Sequence, residues 1–103
     1  MADNVLDEAR TRLDGGNKWC KQRLYDGDKA CVIGAISVTN RGRMFRALRA
    51  VDAVVREQYP DRAGISGLLT GVGDFNDHPD TTWADVDLVL DKAARRLDEQ
   101  VEL

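Results

Sequence analysis

Two thiols and one imidazole bound the nucleophilic chemistry open to this chain: Cys20, Cys31 and His78. A cysteine nucleophile usually needs a base within hydrogen-bond reach, and with a single histidine the only such pair is Cys31–His78. Cys31 stands just before a candidate helix start, where the helix dipole would favour thiolate. Nothing in the spacing joins the two residues, and a buried cysteine ordinarily acts as a small hydrophobe. Around His78, the residues Asp74, Asn76, Asp77 and Asp80 make a loop dense in oxygen and nitrogen donors, of the kind that can hold Ca²⁺, Mg²⁺ or a transition metal. The order lacks the closing glutamate of an EF-hand, and neither HExxH nor a CxxC pair occurs. Asx-turns and helix capping account for the same residues, so no metal or cofactor is expected. Cys31, Asn76, Asp77 and His78 remain one candidate pocket, for a small ligand or for enzymatic chemistry.

A second set is cationic. Arg43, Arg46 and Arg49, spaced three apart, share one face of a helix, with Arg41 before them and Arg56 further along. Such a face can meet phosphates or a carboxylate-rich protein surface. Non-specific DNA binding needs a broader basic field than four arginines on a chain of pI near 5.0. A solvated face is the simplest account, an acidic protein partner the next and nucleic acid the third. The glycines of GISGLLTGVG fit neither GxGxxG after a strand nor GxxxxGK[ST], and the paired carboxylates sit on solvent-facing positions, so no phosphate loop or acid/base pair stands out.

The elements that must position these residues are legible in outline. With 103 residues the chain is expected to be a single small globular domain, 1–103. No apolar run approaches the roughly 20 residues of a membrane span, and MADNVLDEAR has neither the basic nor the apolar region of a secretory leader. The expectation is therefore a cytoplasmic protein with free thiols. Residues 1–56 carry 11 Lys+Arg against 7 Asp+Glu, whereas 57–103 carry 4 against 11. The halves have opposite sign, and can either pair internally or present two faces.

Trp19 to Ile36 is the organising stretch: Asp26-Gly27-Asp28 is a turn signal, with hairpin arms over about 19–25 and 29–33. The following CVIGAISV reads either as a buried strand or as a strand entering a short helix at Gly34-Ala35. Before the hairpin, Asp3 or Asn4 can cap a helix bearing Val5, Leu6, Ala9 and Leu13, which Gly15-Gly16 would end. Thr39 to Gly42 punctuates, then Met44, Leu48, Val51, Val55 and Tyr59 form an apolar stripe over 43–59, with Phe45 and Val54 at its margins, stopped by Pro60. A short helix near 65–70 and a loop through GDFNDHPD come next. Thr82 with Asp85 three residues later opens the closing helix, carrying Val86, Val89, Leu90, Ala93 and Leu97 inward. Expected in or near the core are Trp19, Leu24, Ile33, Phe45, Leu48, Phe75, Trp83, Val86 and Leu90.

Trp19, Asp26-Gly27, Cys31 with Gly34-Ala35, Phe75-Asn76-Asp77 and then Thr82, Val86, Leu90 and Ala93 together resemble a family of small proteins from actinobacteria and their phages, a domain of unknown function. The likeness spans about residues 5–97 and departs over 37–70. It implies provenance and a fold, without catalytic residues, and the high Asp, Arg, Val and Ala content fits a high-GC host or its phage. The fold class expected is α+β, predominantly α, with three to four helices around a two-stranded β-hairpin. The function expected is that of a small non-enzymatic binding protein engaging a host protein. A small-ligand or enzymatic domain built on Cys31, Asn76, Asp77 and His78 is the alternative, and a DNA-binding regulator the third.

Overall fold

The computed structural model describes residues 4–37, 41–64 and 68–101. The protein is predominantly α, with five α-helices and one two-stranded antiparallel sheet among the described residues. Helix α1, Val5–Leu13, begins at Asn4, whose side chain accepts from the Leu6 N–H at 2.9 Å. The same side chain donates to Ala94 O at 2.8 Å, so one residue both caps α1 and ties it to the C-terminal helix. The helix stops one residue earlier than the glycines suggest. Asp14 itself adopts the left-handed conformation (φ 52°), and its N–H returns to Arg10 and Thr11 carbonyls. Gly16 is required for a different reason: a Cβ there would lie 2.8 Å from Trp83 Cγ.

The hairpin is present but far shorter than its expected arms. Strands β1, Tyr25–Asp26, and β2, Lys29–Ala30, pair Tyr25 with Ala30 and Asp26 with Lys29 around Gly27 at φ 66°. The upstream segment does not extend β1. It curls back so that Ala30 donates to Lys18 O at 2.8 Å and Cys20 donates to Ala30 O at 3.0 Å, a parallel bridge through Trp19. Leu24, expected in or near the core, is consequently 52% exposed. The ambiguous apolar run resolves as helix α2, Val32–Ser37, starting two residues ahead of Gly34. Gly34 lies against the Leu24 carbonyl, and a Cβ would approach that oxygen to 2.4 Å.

Helix α3, Arg41–Gln58, buries Leu48, Val51, Val54 and Val55 completely. Phe45, expected at the margin of the stripe and in or near the core, is 61% exposed. The expected break at Thr39-Asn40 lies outside the described residues, as do residues 65–67 of the expected short helix. After Pro60–Arg62, a single 3₁₀ turn, helix α4 runs Leu68–Asp77. The GDFND segment, expected as loop, is thus helical. Val72 and Phe75 are fully buried, and the ring of Tyr59 stacks on Phe75 at 5.3 Å. Gly71 gives up helix propensity for close packing, since a Cβ there would meet Ala63 O at 2.8 Å.

Helix α5, Trp83–Val101, opens with the reciprocal cap expected from Thr82 and Asp85: Asp85 N–H donates to Thr82 Oγ1 at 3.3 Å and Thr82 N–H to Asp85 Oδ2 at 3.1 Å. The core lies where α3 packs against α4 and α5, and α1 against α2 and α5. Opposite charges from the two halves meet where Arg10 reaches Asp87 at 3.0 Å and Asp91 at 3.4 Å. No helix among the described residues is long and apolar enough to cross a membrane.

Candidate functional site

Asn76, in the last turn of α4, is 1% exposed and uses its whole amide. Its Oδ1 accepts from the indole Nε1 of Trp19 at 2.8 Å and from Val32 N–H at 3.0 Å, and its Nδ2 donates to Cys20 O at 3.1 Å and to Asp77 Oδ1 at 3.0 Å. The Val32 bond satisfies a free N–H of the first turn of α2, which explains why that helix starts there. Asp77 extends the network: its Oδ1 also accepts from the N–H of Gln22, at 2.6 Å, and so holds Gln22 in the left-handed region (φ 70°). A buried amide that satisfies four partners is a structural hub.

Beside this hub is a pocket of about 200 Å³, with Cys31, Asn76 and Asp77 in its wall and Leu24, Ile33 and Gly73 supplying its apolar surface. Three of the four residues of the expected pocket therefore converge. His78 does not: its Nδ1 accepts from the Asp80 N–H at 3.1 Å in the turn after α4, and its carbonyl accepts from Lys21 Nζ at 2.6 Å. Cys31 Sγ accepts from the Gly34 N–H at 3.4 Å, and burial pushes its thiol above the usual value despite that bond. The Cys20 thiol is also raised, by burial first and then by the neighbouring Cys31 and acidic side chains. Both cysteines are free. A protonated, enclosed thiol without an imidazole partner is the reverse of an activated nucleophile. The acidic residues around His78 are dispersed, with Asp74 and Asp80 exposed, and among the described residues no three His, Cys, Asp or Glu side chains gather as metal ligands.

Of the residues that carry the resemblance noted above, Trp19, Asn76 and Asp77 belong to this hub, and Cys31 lines the pocket beside it. The chain belongs to DUF6197, a family of unknown function. The family's model matches residues 1–96. No curated protein and no solved structure matches the chain. Membership in DUF6197 thus adds no activity to what the geometry says.

The cationic candidates lie on α3. Arg43, Arg46 and Arg49 are all exposed, and Arg46 and Arg49 make no hydrogen bond or ion pair among the described residues. Arg56 differs: its Nε donates to Asp52 Oδ2 at 2.9 Å and Nη1 to Gly64 O at 3.4 Å, so it braces the α3–α4 connection. The side chain of Arg41 lies outside the described residues. Phe45 is the member of this surface that the sequence reading missed. The signal was partial: the step of four from Phe45 meets Arg49 and the step of seven meets Asp52, whereas the step of three meets buried Leu48, so Phe45 stands at the edge of the apolar stripe. Leu24, Ile33 and Gly73 were missed as pocket residues because they come from three segments that only the curl before β1 brings together.

Proposed function

We propose that the protein is a small non-enzymatic binding module of phage or actinobacterial origin that acts in the cytoplasm by engaging an acidic host protein through the outward face of α3. The observation that carries this reading is Phe45, 61% exposed and one turn before Arg49 on α3, with exposed Arg46 on the adjoining side. Aromatics and arginines are the residues enriched at the centres of protein interfaces. An acidic partner with an apolar recess would match both groups. The raised thiols and the separation of His78 from Cys31 speak against the enzymatic alternative.

The test is affinity capture from an actinobacterial lysate with wild-type protein, a Phe45→Asp variant and an Arg46→Glu/Arg49→Glu variant. One acidic protein retained by wild type and lost by both variants, with their circular dichroism unchanged, supports the reading. Equal retention by all three, or retention of nucleic acid in place of protein, overturns it.

A further inference from the structure

The pocket beside Asn76 has a composition that selects a ligand. Its apolar surface comes from Ile33, Leu24 and Gly73, and its polar wall from Asp77. Asp77 spends only one carboxylate oxygen on the fold: Oδ1 accepts from the Gln22 N–H and from Asn76 Nδ2. Oδ2 has no protein partner among the described residues, yet it is not one of the buried unpartnered oxygens, so it is open to solvent. The carboxylate also biases its surroundings, for its negative charge helps to hold the neighbouring Cys31 thiol protonated, after the larger effect of burial. A site of this kind disfavours an anion at its inner wall and favours a cation there. Asn76 cannot serve a ligand, because all its donors and acceptors are engaged. The remaining charged group in the lining is Arg23, an exposed residue.

We propose that this pocket binds a small aliphatic ammonium compound, with the ammonium on Asp77 Oδ2 and the hydrocarbon body against Ile33 and Gly73. About 200 Å³ is below the size of a site for drug-sized ligands, so the occupant is a small molecule. Two sources share this chemistry, a simple alkylamine and a free aliphatic amino acid. In the second, the carboxylate reaches Arg23 at the rim. The site is distinct from the α3 face and does not depend on it.

The experiment is an amide-resolved NMR titration of the full chain with 3-methylbutylamine, L-leucine and 3-methylbutanoate. The amine or the amino acid is expected to give saturable shifts at Gln22, Ile33, Gly73 and Asp77, while the carboxylate alone gives none. Tighter binding of L-leucine than of the amine assigns the amino acid, and equal binding assigns the amine. Asp77→Asn retains an oxygen for the Gln22 N–H, removes the charge, and is expected to weaken binding at least about tenfold, as loss of a charge-assisted hydrogen bond does. Gly73→Leu fills the pocket from α4, where a Cβ meets only Ile33 Cδ1 at 3.7 Å, and is expected to abolish the shifts. Absence of saturable shifts with both ammonium compounds, equal binding of 3-methylbutanoate, or undiminished binding by a folded Asp77→Asn variant would each overturn the proposal.

Discussion

The hub around Asn76 and the outward face of α3 concentrate the polar chemistry of this protein, and they are built in opposite ways. At Asn76 a single amide joins α4 to Trp19, to the segment before the hairpin and to the start of α2, and the side chain is nearly inaccessible. On α3, Arg46 and Arg49 are held by nothing described, and Phe45, one turn before Arg49, is largely exposed. Polar residues that are fully engaged specify a structure, whereas polar and aromatic residues left over by the structure are available to something else. The arrangement is the reverse of what residue chemistry suggests. The segment with the most functional-looking composition, DFNDH, mainly serves the fold, and a plain amphipathic helix carries the available surface.

That contrast can be broken most forcefully at the hub. Asn76→Leu leaves the Val32 N–H, the Trp19 indole N–H and the Cys20 carbonyl without their partner, and should lower stability by about 3 kcal/mol, equivalent to a fall of roughly 15 °C in Tm. Urea and thermal unfolding check it, and a loss below about 0.5 kcal/mol would mean the network is incidental. Glycines around the pocket sharpen the point because they should respond with opposite signs. Gly34→Ala drives a Cβ into the Leu24 carbonyl and should destabilise by about 2 kcal/mol through overpacking. Gly73→Ala has room beside Ile33 and should stabilise α4 by about 0.5–1 kcal/mol through helix propensity, which the same unfolding curves would show.

The cap of α5 supplies a pH-dependent test of an engaged carboxylate. Burial pushes the Asp85 carboxyl up, but hydrogen bonds from the Thr82 N–H, Arg62 and Tyr59 outweigh it and leave the group below its usual 3.8. A depressed folded value contributes stability that is present above the unfolded value and is lost as the pH falls through the folded one. Stability should therefore decline below about pH 4, and Asp85→Asn should flatten that part of the profile measured by unfolding at successive pH values. At the other extreme, Phe45→Asp and Arg46→Glu/Arg49→Glu should change stability by no more than about 0.5 kcal/mol, since Phe45 is largely exposed and the two arginines make no described hydrogen bond or ion pair. A large loss in either would place α3's outer face among the structural elements and erase the contrast.

How far these features could be read in advance depended on whether the signal was local. The apolar stripe from Leu48 to Val55, the Asn4 cap and the Thr82–Asp85 box are encoded within one or two helical turns, and the structure matches them. Asn76 was legible only as one donor in a turn-like cluster, because three of its four partners are 44 and more positions away. Gly71 and Gly73 suggested a loop by propensity, yet α4 runs through both, and at Gly71 the close packing requires the glycine. Leu24 and Phe45 show the converse error. Hydrophobicity alone placed them inside, whereas the bent segment before β1 exposes the first and the helical phase exposes the second.

The most direct measurement is the affinity of purified wild-type protein and of the Arg46→Glu/Arg49→Glu variant for the captured host protein, by calorimetry at low and high salt. The account predicts wild-type binding that weakens several-fold as salt screens the arginines, and a loss of at least about a hundredfold in the variant while its Tm stays unchanged. Affinity that is indifferent to both salt and the double substitution would contradict it.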